Sequence, residues 1–130
     1  MKKSILAIVF AGIWITASEF IRNELLFKSY WVDLYKSLGL KWETTPVNGI
    51  LWMVLSFILA YVVFKLLQRF SFLQALLIAW LAAFVIMWIT IYNLQVLPVT
   101  LLLFAVPLSL LEVAVAELII NKVSGRRWFG

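Results

Sequence analysis

Cysteine and histidine are absent from this 130-residue chain, and only 13% of its residues are charged. With neither thiol nor imidazole, disulfides, thiol nucleophiles, histidine-bound haem and the usual zinc sites are excluded. Proton chemistry falls to carboxylates, tyrosine or lysine, and the acidic residues number six. Glycine and proline are sparse, at five and three. No phosphate loop, metal-ligand spacing or nucleophile motif occurs, so no cofactor and no metal are expected. No repeat, low-complexity tract or linker interrupts the chain, which reads as one domain, residues 1–130.

What fills the sequence is apolar: 65% of it is hydrophobic and its mean hydropathy is +1.07. A soluble domain averages about half apolar and about a quarter charged. A water-soluble globule of this composition would expose large apolar patches, so the expected solvent is lipid. The net charge of +5 does not point to nucleic acid. The basic residues sit at the ends of apolar runs, where they anchor helices and set topology.

A spanning helix needs ~20 mostly apolar residues at ~1.5 Å each. Four segments qualify: Ser4–Phe27, Asn48–Gln68, Ser71–Tyr92 and Leu97–Asn121. The expected fold is therefore all-α, an integral membrane bundle of four transmembrane helices. Between the first two lies the one sizeable loop, Lys28–Val47. Its Tyr30, Trp31, Leu34, Tyr35 and Leu38 recur at helical spacing and predict a short interfacial amphipathic helix that Gly39 ends. Thr44-Thr45-Pro46 resembles an entry into the second span. The other connections, Arg69-Phe70 and Asn93–Pro98, are tight, so consecutive helices should pack antiparallel.

Basic residues are retained in the cytoplasm during insertion. Lys2, Lys3, Lys65, Arg69, Lys122, Arg126 and Arg127 fall on one side and Lys28, Lys36 and Lys41 on the other. Seven against three places both termini in the cytoplasm, with a bacterial inner membrane as the expected location. A competing reading takes Met1–Ala17 as a signal peptide. It ranks second because the apolar run continues through Phe20 and Leu25-Leu26-Phe27.

An ionisable residue inside a span costs ~2.5–3.5 kcal/mol and calls for a partner or a purpose. On the first helix Gly12, Thr16, Glu19 and Asn23 share a face, and Arg22 lies one turn from Glu19, whereas Glu24 belongs to another face. On the fourth, Glu112 follows Pro107 by about one turn and has no basic residue within two turns. Glu117 is expected to snorkel towards Asn121 and Lys122. Glu19, Arg22, Asn23 and Glu112 are the candidate proton, cation or ligand site. Asn48 and Trp52, with Thr90, Tyr92, Asn93 and Gln95, are candidates to line a secondary polar pocket in the outer leaflet together with Glu19, Arg22, Asn23 and Glu24, and the deeper Trp88 is a further candidate. Counting rise per residue puts Glu19 ~22 Å and Glu112 ~13 Å from the cytoplasmic helix ends. That offset of ~9 Å is too large for a catalytic dyad and suits successive stops on a path.

Trp31, Trp42, Trp52 and Trp128 fit interfacial aromatic belts. Trp80, Phe84 and Trp88 recur every four residues as a ridge, which could bind organic cations if it faces the carboxylates. Ala79, Ala82 and Ala83 permit close helix contact, with a second copy or another membrane protein as partner.

In layout the chain resembles the small multidrug resistance exporters: four short helices, a membrane-embedded glutamate on the first, Glu19, and a high tryptophan content. It departs from them in the long Lys28–Val47 loop and in a charge bias that specifies one orientation. Three functions follow. The favoured one binds or transports a small cation, a proton or an amphipathic ligand through membrane-embedded carboxylates. The alternative is an accessory or assembly subunit, in which Glu19 and Arg22 pair. An enzyme acting on a lipid or isoprenoid ranks last, since it needs two converging carboxyls.

Overall fold

The structure, a computed structural model, describes residues 1–42 and 45–125. The expectations placed on Thr44, Arg126, Arg127 and Trp128 lie outside them. Five helices follow one another: α1 (Lys2–Leu26), α2 (Lys28–Ser37), α3 (Pro46–Leu67), α4 (Phe72–Asn93) and α5 (Val99–Ser124). All but α2 are long and apolar enough to cross a membrane. No strand occurs among the described residues.

The helix ends carry their own local signals. Leu40 N–H bonds to Tyr35 C=O and Gly39 N–H to Lys36 C=O, a Schellman closure of α2 with Gly39 at φ +73°. The Thr45 hydroxyl accepts the Asn48 amide, and Pro46, whose missing N–H costs nothing there, opens α3. Ser71 and Gln74 form a capping box that starts α4. Val96 N–H to Ile91 C=O and Gln95 N–H to Tyr92 C=O close α4 in the same way as α2, here with a glutamine at φ +62°.

α1 is the central helix, packed chiefly against α5 and α3. Small residues let it approach closely: Ala7, Ala11, Ala60 and Ser56 are wholly buried. At Gly12 a Cβ would stand 2.5 Å from the Phe57 ring. α4 completes the bundle against α3 and α5. The outward faces are apolar, with Ile13, Leu55, Ile58, Ile86, Leu103 and Leu111 all more than half exposed or close to it. Such faces are stable against lipid chains and not against water, and the chain is a multi-pass membrane protein.

Two helices contain a π-turn that sequence periodicity did not indicate, Ile21–Leu26 in α1 and Leu81–Val85 in α4. Residues five apart lie about 140° apart around an α-helix, whereas an i→i+5 turn brings them nearly into line. The turn in α1 overlaps the stretch between Glu19 and Glu24, and the two carboxylates, expected on different faces, line one cavity. In α4 the extra residue offsets the drift of a four-residue spacing and keeps Trp80, Phe84 and Trp88 together.

Candidate functional site

The four principal candidates come together. Arg22 Nη2 lies 2.6 Å from Glu19 Oε1, and its Nη1 lies 3.8 Å from Glu112 Oε1. Asn23 Nδ2 donates to Glu19 Oε2 at 3.1 Å and to the Glu19 carbonyl at 3.1 Å. Trp31 Nε1 in turn donates to Asn23 Oδ1 at 3.3 Å. Glu19, Arg22 and Glu112 are all buried, Glu112 at 1% exposure. The guanidinium also stacks 5.1 Å from the Phe84 ring centre. Of the α4 aromatic ridge it is Phe84 that meets this cluster, and the cation it meets is Arg22.

The predicted depth offset between Glu19 and Glu112 does not keep them apart. Helical side chains lean towards their own N-terminus. α1 and α5 run antiparallel, so Arg22 leans towards the Lys2 end of α1 while Glu112 leans the opposite way, and one guanidinium reaches both carboxylates. The Trp14 indole fixes this register by donating to the Glu112 carbonyl at 2.9 Å. Trp80 Nε1 ties α4 to α5 through the Ser109 hydroxyl at 2.9 Å.

Two hollows flank the ion cluster. The larger, a cavity of about 740 Å³, is lined by Glu19, Asn23 and Glu24 of α1, Tyr35 of α2, Lys41 and Trp42 of the loop, and Asn48 and Trp52 of α3. Trp42 stacks on Trp31 with ring centres 5.6 Å apart and meets Tyr35 edge-on at 5.0 Å, so the loop wall is a built aromatic cluster. The smaller hollow, about 140 Å³, lies at α1 and α5 and includes Trp14, Arg22 and Glu112.

Compared with protein-family models, curated proteins and solved structures, the chain matches none of them. The functional argument therefore rests on these residues.

Of the secondary candidates, Asn48 and Trp52 line the larger cavity with Glu19. Asn93 lies elsewhere, in a hollow of about 350 Å³ with Tyr92 and Gln95. Trp88 is packed inside the bundle against Phe84 and Trp80 and lines neither hollow. Glu24, a candidate for the outer-leaflet pocket, lines the larger cavity with Glu19 and Asn23. Lys41 and Trp42 carry no sequence signal of a site, and only the fold of the loop and α2 over α1 brings them there.

Glu117 does not snorkel. It is 0% exposed, on the buried stripe with Val113, Ala116 and Ile120, and neither carboxylate oxygen has a hydrogen-bond partner among the described residues. Its position on α5 faces the bundle, so its short side chain has no route to the surface. Both carboxylate oxygens of Glu112 likewise lack a hydrogen-bond partner among those residues.

Proposed function

We propose that the chain binds, and moves or presents, a small amphipathic ligand through the cavity bounded by Glu19, in a cell inner membrane with both termini on the cytoplasmic side. One observation carries this reading: a cavity of about 740 Å³ in the range of drug-sized ligand sites, about 300–1,000 Å³. It joins carboxylates to aromatic faces at the end of the bundle where α2 lies. Glu19 already has one oxygen on Arg22 and the other on Asn23. A bare metal cation would have to break that pairing, whereas an amine-bearing organic ligand can add to its rim and stack on Tyr35, Trp42 or Trp52. A π-turn within α1 supplies Asn23 and Glu24, and such turns recur at functional sites.

The test is saturable quenching of tryptophan fluorescence by a brominated alkylamine in nanodiscs, compared across wild type, Glu19→Gln and Trp52→Ala. Trp52 sits at the exposed rim, so its variant probes the site without disturbing the core. Saturation in wild type, weakened several-fold in both variants, supports the reading. Quenching that follows lipid partitioning alone and is unchanged in both variants sinks it.

The accessory-subunit reading retains one specific observation, the Glu19–Arg22 pair within the chain itself. It predicts that Arg22→Met reduces assembly with a partner and that no variant alters ligand quenching.

A further inference from the structure

The large cavity carries opposite charges on its two sides. Glu19 and Glu24 stand on the α1 side, while Lys41 and the Trp42 indole stand on the loop side. Glu24 is held only loosely, 3.7 Å from Lys28. Among the described residues Lys41 makes no ion pair. The Trp42 Nε1 is buried and lacks an acceptor among them. A ligand that satisfies both sides brings a cation to the carboxylates and an anionic acceptor to Lys41 and the indole N–H.

An apolar groove of about 400 Å³ lies further along α3, lined by Met53, Val54, Phe57, Ile58 and Tyr61. Gly49, which lines the polar cavity, and Met53, Phe57 and Tyr61 recur every four residues. Cavity and groove therefore lie on successive turns of α3, along an inclined row of side chains. From Gly49 to Tyr61 that row runs ~18 Å at ~1.5 Å per residue. This is close to one leaflet's half of the ~30 Å hydrocarbon core.

We propose that cavity and groove together hold one phospholipid with a zwitterionic, amine-bearing headgroup. Its ammonium lies at Glu19 and Glu24, its phosphate at Lys41 and the Trp42 indole, and one acyl chain runs along Met53, Phe57 and Tyr61. The assignment rests on the reading of the cavity as a ligand site and names its occupant. An anionic phospholipid leaves the two carboxylates facing like charge, and a soluble headgroup leaves the groove empty.

The experiment is native mass spectrometry of the full chain with equal amounts of phosphatidylethanolamine and phosphatidylglycerol of identical acyl chains. A parallel arm uses soluble glycerophosphoethanolamine, and the variants are Lys41→Ala, at an exposed position, and Glu24→Lys, at a partly exposed one. The zwitterionic lipid should be retained over the anionic one. Lys41→Ala should weaken its binding about fivefold, the worth of one basic residue near a lipid headgroup, and Glu24→Lys should turn the preference towards the anionic lipid. Equal retention of both lipids in every variant, or binding of the soluble headgroup as tight as that of the lipid, overturns the assignment. The bromoalkylamine titration separates the two levels. Saturable amine binding without lipid preference removes the phospholipid and leaves the ligand site, whereas absence of both removes the site as well.

Discussion

Arg22 Nη1 lies 3.8 Å from Glu112 Oε1 across the interface of α1 and α5, and neither atom has a hydrogen-bond partner among the described residues. The contact is an ion pair without the geometry of a bidentate bond. Its two members nonetheless differ in what their loss would expose. Arg22 is the cation for both Glu19 and Glu112, whereas Glu112 gives up no hydrogen bond. Removing one partner of a buried pair costs ~3–5 kcal/mol because it leaves an uncompensated charge. Arg22→Met is therefore expected to destabilise the bundle by about that much, and Glu112→Gln by no more than ~1 kcal/mol. Equilibrium unfolding in mixed micelles measures both; equal costs for the two variants would contradict this account.

Gly12 gives a test of the packing between α1 and α3. An added Cβ would meet the Phe57 ring at 2.5 Å, so the ring must move. Gly12→Val is expected to cost ~1–3 kcal/mol, the usual range for overpacking. Phe57→Ala in the same chain should restore part of the loss, because the obstructing ring is gone. A double variant no more stable than Gly12→Val would show that the contact is not the cause.

The absence of cysteine from the chain makes topology directly measurable by single introduced thiols. Ser37, at the end of α2, and Lys122, in the last turn of α5, lie at opposite ends of the bundle. In intact spheroplasts, Ser37→Cys is expected to react with a membrane-impermeant maleimide, and Lys122→Cys only after permeabilisation. The reverse pattern would invert the orientation read from the basic residues.

How far the sequence reaches depends on whether the cause is local. Composition and run length were enough for four spans, and Gly39 and Thr45-Pro46 marked helix ends because caps are written within a few residues. The grouping of Glu19, Arg22 and Asn23 was legible for the same reason, being spaced three and four apart. The π-turns at Ile21–Leu26 and Leu81–Val85 left no compositional mark, and neither is legible from periodicity. The meeting of Arg22 with Glu112 depends on the register of two helices ninety residues apart and on the opposed lean of their side chains, which counting rise per residue omits. Nearness to Asn121 and Lys122 along the chain points Glu117 towards the surface. Which face of α5 turns inward decides its burial, and that is a tertiary property.

The most direct test of the ligand cavity is to find where a ligand lands. A photoreactive alkylamine is irradiated with the protein in nanodiscs, with and without excess unlabelled amine, and the adducts are mapped by mass spectrometry. The account predicts competable adducts on Phe20, Trp42 and Trp52, which line the cavity, and their loss in Glu19→Gln. Adducts spread over lipid-facing residues such as Ile86, Ile89 and Leu103, insensitive to competitor and to the variant, would contradict it.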